Sequence, residues 1–160
     1  MNDRAKKFSQ HYFSKARITF EEANQLLAAG FPTGATNRFY YTAFYAAKAL
    51  LMTKELSSSK HRGTIALFQQ HFVKTGLVNE ERAKTLHRSF EQRLSSDYDE
   101  FYFLSDNELQ DLKQQVAEFL DECGKVLATL LKDGTSAHEP AERYSAKRSR
   151  KRKRLVTAIR

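Results

Sequence analysis

A single cysteine, Cys123, excludes an intrachain disulfide. Only six glycines and two prolines punctuate the 160 residues, which disfavours a fold of many strands and tight turns and favours long helices. No run approaches the roughly 20 consecutive apolar residues of a membrane span. The longest candidate, residues 39–52, is interrupted by Thr42 and Lys48. The opening MNDRAKKF lacks the apolar stretch of a secretory signal, so a reducing, cytoplasmic setting without membrane attachment is expected. His11, His61, His71, His87 and His138 contain no i, i+4 pair, and neither a metal site nor a cofactor is expected. A phosphate-cradling glycine loop, a GxSxG elbow and a strong paired-carboxylate motif are also missing, which sets kinase and common hydrolase chemistries aside.

What is present is ordinary globular material, 41% hydrophobic and 29% charged, in an amount suited to one domain with a real core. The formal charge of +8 is not evenly spread. Residues 140–160 hold nine Lys/Arg against one acidic residue, leaving 18 of each sign in residues 1–139. Attraction through net charge therefore belongs to the C-terminal stretch, whose KRSRKRKR would draw nucleic acid without sequence preference or stay solvated with no dedicated partner.

Hydrophobic periodicity predicts five helices. The first spans about Ser9 to Ala29 on a Tyr12, Ala16, Phe20, Ala23, Leu27 stripe and is stopped by Gly30, Phe31 and Pro32. A second, from about Thr33 to Glu55, is apolar on several faces and is expected at the centre. After the polar connector LSSSKHRG, a short third helix capped near Ser59 carries Ile65, Phe68 and Phe72 and ends at Gly76. Asn79 caps a fourth helix that reaches at least Asp97. The fifth runs from about Ser105 to Leu131, opened by a Ser105/Glu108 capping box, with Leu109, Leu112, Val116, Phe119, Cys123, Val126 and Leu130 as its seam. The fold class is thus all-α, a helical bundle in residues 1–132. Residues 133–160 are expected to form a disordered basic tail.

On the fourth helix, Leu86, Phe90, Arg93 and Asp97 fall within about 60° of arc, so a charged pair continues an apolar stripe. Such a pair can be an ordinary i, i+4 ion pair. Alternatively, the planar guanidinium fork of Arg93 matches phosphate oxygens and can stabilise charge on a phosphoryl group, with Asp97 orienting it. Asn37 and Lys48 share a face with Tyr41 and Phe44 on the second helix, either as binding groups or as an amide bonded to backbone and a snorkelling lysine. His61, flanked by Lys60 and Arg62, can meet a phosphate at a helix N-terminus or lie in a solvated loop. Tyr98, Phe101, Tyr102 and Phe103 are expected in core or dimer packing, with base stacking as the lesser use.

Three segments, ATNRFYYTAFYAAKALL, SSSKHRGTIALFQQHFVKTG and RLSSDYD, resemble successive signatures of the HEPN family across residues 8–131. More narrowly they are similar to small stand-alone HEPN proteins often paired with a minimal nucleotidyltransferase. The resemblance implies an up-and-down bundle of four to five helices that dimerises, with active members acting as metal-independent endoribonucleases from a composite site in the dimer cleft, often as toxins or defence effectors. It carries over the motif arginine to Arg93. The positions where active members hold a histidine carry Tyr98, Asp99 and Glu100 here, and Leu94 replaces the usual polar residue after the arginine. Tyr98 lies near the place of a tyrosine that nucleotidyltransferase partners modify in some members.

Together these readings predict a homodimeric HEPN protein of a toxin-antitoxin or defence module that acts on RNA. Arg93 would bind the scissile phosphate and Asp97 would orient it. Tyr98, Asn37, Lys48, Lys60 and His61 would serve as binding residues. The alternative is a non-catalytic subunit that binds nucleotide, RNA or a nucleotidyltransferase partner.

Overall fold

The computed structural model describes residues 1–133, which form five α-helices in an all-α bundle. Helix α1 spans Asp3–Ala28, α2 Pro32–Thr53, α3 His61–Phe68, α4 Glu80–Tyr98 and α5 Asp106–Asp133. The π turn Gln69–Val73 extends α3.

Helix α1 starts earlier than its apolar stripe predicts, because Asn2 caps it by accepting a hydrogen bond from the Ala5 N–H at 2.7 Å. Its most buried residues, Ala5, Ser9, Ala16, Thr19 and Ala23, are all small. Tyr12, Phe20 and Leu27 flank them half-buried. Gly30, at φ +82°, makes the reversal into α2, where Pro32 takes the N-terminal position at which its missing N–H costs nothing.

Helix α2 packs against α1, α3, α4 and α5 and is the centre of the bundle. That position explains its apolar character on several faces: Phe39, Tyr40, Leu50 and Leu51 are all fully buried. Helix α3 begins at His61 with Lys60 in extended conformation at the cap, so no Ser59 side chain closes it. Its π turn keeps Phe68 and Phe72 stacked 5.7 Å apart in the core.

Asn79 caps α4 as predicted, accepting from the Arg82 N–H at 3.2 Å. The Ser105/Glu108 capping box opens α5, with the Ser105 N–H donating to Glu108 at 2.7 Å and the Glu108 N–H donating to Ser105 Oγ at 3.3 Å. The α5 seam holds from Leu109 to Cys123 and then moves to Leu127, leaving Val126 and Leu130 half-buried at its sides.

Asp133 closes α5 and so belongs to the bundle, one residue beyond the predicted boundary. The expected basic tail, from residue 134 on, lies outside the described residues. Among the described residues no helix is long and apolar enough to cross a membrane.

Candidate functional site

The site grows from a floor of aromatic rings on α2. Tyr40, Tyr41 and Phe44 occupy i, i+1 and i+4 positions, and their ring centroids lie 5.1 to 6.1 Å apart. Tyr40 is fully buried, Phe44 nearly so, and Tyr41 half-buried, so the floor runs from core to surface.

Helix α4 brings Arg93 onto this floor. Its guanidinium carbon stands 5.5 Å from the Tyr40 ring centre and 5.4 Å from that of Tyr41, an arrangement favoured by the negative ring faces. Asp97 Oδ2 lies 3.1 Å from Arg93 Nε, and the two side chains are 34% and 22% exposed respectively. The Arg93–Asp97 pair thus sits at the edge of the core, as the arc on α4 predicts. The Nε–H is not aligned on the carboxylate, however, and Nε is buried without a hydrogen-bond partner. The terminal guanidinium nitrogens form no hydrogen bond among the described residues, so the fork is held by stacking and charge while its donors stay uncommitted.

His61, the first residue of α3, completes the cluster. Its ring stacks on Phe44 at 4.6 Å with an interplanar angle of 18°, and meets Tyr41 edge-on at 5.8 Å. Its Nδ1 is 2.6 Å from the Tyr40 hydroxyl. Burial first, then the positive charges of Arg93 and Lys48, lower the pKa of His61 below its ordinary value of 6.5. Burial likewise raises the Tyr40 phenol pKa, keeping it protonated. Gly63 fits where a Cβ would come 2.2 Å from Ser58 Oγ, so the turn that delivers His61 is closely packed.

Lys48 extends the cationic rim, its ammonium 4.7 Å from the Tyr12 ring centre and 5.7 Å from that of Phe44. Arg38 lies over Tyr41 at 5.1 Å and Arg62 over Phe90 at 5.0 Å. Both are ion-paired, Arg38 to Glu22 at 3.5 Å and Arg62 to Glu91 at 4.0 Å. A half-buried aromatic floor ringed by cations can hold a phosphodiester between guanidinium and imidazole while offering ring faces to bases.

Of the residues singled out from sequence, the fold brings Arg93, Asp97, Lys48 and His61 to one place. Asn37 reaches it indirectly, its carbonyl accepting from Arg38 Nη2 at 3.1 Å and thereby fixing the guanidinium that covers Tyr41. Lys60 adjoins His61 in the chain but is exposed, and its ammonium has no contact with the cluster. Tyr98, 84% exposed, makes no ring contact with the floor. Core packing does not hold for Tyr98, Phe101 and Phe103, which all project from the end of α4 and the segment after it. Tyr40, Tyr41, Arg38 and Arg62 were not singled out as site residues from sequence. The face that Tyr41 and Phe44 share with Asn37 and Lys48, and the density of rings in RFYYTAFY, hinted at the floor. Among the described residues, no three His, Cys, Asp or Glu side chains gather closely enough to hold a metal ion.

A family model described as the HEPN domain matches residues 9–127. A UPF0332 protein of Thermotoga maritima is 38% identical over 130 residues, covering 81% of this chain and 98% of the relative. Two Methanocaldococcus jannaschii proteins, each carrying the name "putative toxin", are 31% and 32% identical over 127 and 123 residues. They cover 79% and 77% of this chain, and each is itself covered over 86% of its length.

Proposed function

This chain belongs to the HEPN domain family, and from that premise we propose that it is a cytoplasmic toxin-like protein that cuts RNA without a metal ion. The observation that carries this reading is the state of Arg93: half-buried, stacked on Tyr40 and Tyr41, with its terminal donors unpaired among the described residues. A guanidinium so placed is pre-organised to take two oxygens of a phosphodiester and the charge that builds on them during cleavage. Asp97 restrains Arg93 from the next turn of α4, and Lys48 adds a second positive charge across the floor. The names of the Methanocaldococcus relatives support a toxin role.

In this reading the working unit is a homodimer. The exposed rings of Tyr98, Phe101 and Phe103, just beyond the Arg93–Asp97 turn, suit burial against a second copy, and a cleft formed there would enclose the site. A minimal nucleotidyltransferase is the partner proposed to hold such a toxin in check.

A non-catalytic, nucleotide- or RNA-binding subunit is the second reading. It is favoured by Tyr98, Asp99 and Glu100, which stand where active relatives of this type hold a histidine. Expression in a bacterial host separates the two. The cleavage reading expects growth arrest by the wild type and none by a folded Arg93→Ala variant. Arrest that persists in the folded variant would overturn the role given to Arg93.

A further inference from the structure

We propose that His61 is the general base of RNA cleavage, supplying from the start of α3 the imidazole that the Arg93 segment of α4 lacks. This assignment rests on the RNA-cleavage reading above and gives that site its proton acceptor.

The geometry carries it. Arg93 and His61 approach the same two rings from different helices: the guanidinium lies on Tyr40 and Tyr41, and the imidazole contacts Tyr40 at 5.7 Å and Tyr41 at 5.8 Å. Both groups thus border the same pair of rings, and the Arg93 charge is felt at the imidazole. Phe44 fixes the plane of the ring by stacking, and the Tyr40 hydroxyl fixes its rotation through Nδ1 at 2.6 Å. Nε2 makes no hydrogen bond among the described residues, and His61 is half-buried, so this nitrogen remains available to substrate.

Tyr40 acts as a positioning residue. When its oxygen accepts the Nδ1–H, the neutral ring carries its lone pair on Nε2, the tautomer that a base requires. Burial that keeps the phenol protonated removes any competing phenolate. The groups facing the imidazole are Tyr40, Tyr41 and Lys48 from α2 and Arg93 from α4, with Arg62 beside it over Phe90. The cations among them, together with burial, favour the neutral ring near neutral pH.

In the step this arrangement supports, Nε2 takes the proton of a ribose 2′-hydroxyl. The freed electron pair on the 2′-oxygen forms a bond to the adjacent phosphorus. The bond from phosphorus to O5′ breaks, its electron pair leaves on O5′, and that oxygen takes a proton from water. The products are a 2′,3′-cyclic phosphate and a 5′-hydroxyl, and the imidazolium returns its proton to solvent. Arg93 and Lys48 offset the charge on the non-bridging oxygens throughout. Asp97 is less suited to the task, since it already faces the Arg93 guanidinium.

The test is the pH dependence of kcat/KM for the full-length protein on a mixed-sequence fluorescent oligoribonucleotide in EDTA. Wild type, His61→Ala, His61→Asn, Tyr40→Phe and Arg93→Ala are compared, each checked for folding by thermal melt. Wild type should show an acid limb below pH 6.5. A folded His61 variant should lose at least about 10²-fold, lose the acid limb, and, for His61→Ala, recover in part on adding imidazole. Tyr40→Phe should lose less and move the limb. A folded His61 variant that cuts at the wild-type rate with the limb intact would overturn the inference while leaving the cleavage reading in place, provided Arg93→Ala is inert. A wild type without an acid limb would also overturn it, whether or not any His61 variant folds. A folded wild type that cuts no RNA would overturn both.

Discussion

Arg93 was legible from sequence because helix periodicity is local: its place on the Leu86–Phe90 stripe follows from about 100° per residue. That Asp97 follows one turn later is equally local. His61 was not legible in the same way, since its meaning lies in contacts with Tyr40 and Phe44, 21 and 17 residues distant, and in the charge of Arg93 on a different helix. From sequence it offered only a phosphate contact in the KHR trio. Its environment has a consequence for stability. The folded state binds a proton at His61 less readily than the unfolded chain, so the unfolded state takes up more protons as the pH falls through 6.5. The stability linked to this neutral ring is fully present above that value and declines as the pH falls toward the lowered folded pKa. Melting temperatures measured across this range should therefore fall more steeply on acidification for wild type than for His61→Asn. Equal slopes would show that the ring is not held neutral by its surroundings.

The existence of all five elements was readable from apolar spacing, whereas their ends were readable where a side chain closes them or where Gly30 and Pro32 interrupt the chain. Asn79 and the Ser105/Glu108 pair act through local hydrogen bonds and were placed correctly. The start of α1 was missed because its first turns bury only small residues, Ala5 and Ser9, which leave no strong hydrophobic period. The π turn at Gln69–Val73 was missed because the Phe68/Phe72 spacing is the same in an α-helix. The two caps are expected to act independently. Asn79→Ala and Ser105→Ala should each lower stability by about 1 kcal/mol in urea denaturation, and their sum should match the double variant to within about 0.5 kcal/mol. A loss near zero at either site would mean that other contacts set the start of that helix.

For the whole molecule, the body is balanced in charge, so attraction of RNA to it depends on where its cations stand. Arg38, Lys48 and Arg93 gather on one aromatic floor, with Arg62 beside it over Phe90. The net surplus of positive charge lies in residues 140–160. A division of labour follows in the proposed function. The basic stretch raises the local concentration of RNA without regard to sequence, and the floor between α2, α3 and α4 does the chemistry. Metal-independent cleavage through Arg93 is checked by incubating purified wild type and Arg93→Ala with total cellular RNA in EDTA and mapping the new ends. The expected result is fragments ending in a 2′,3′-cyclic phosphate with wild type and none with a folded Arg93→Ala. Intact RNA with both proteins, or equal cleavage by both, would overturn the proposed function.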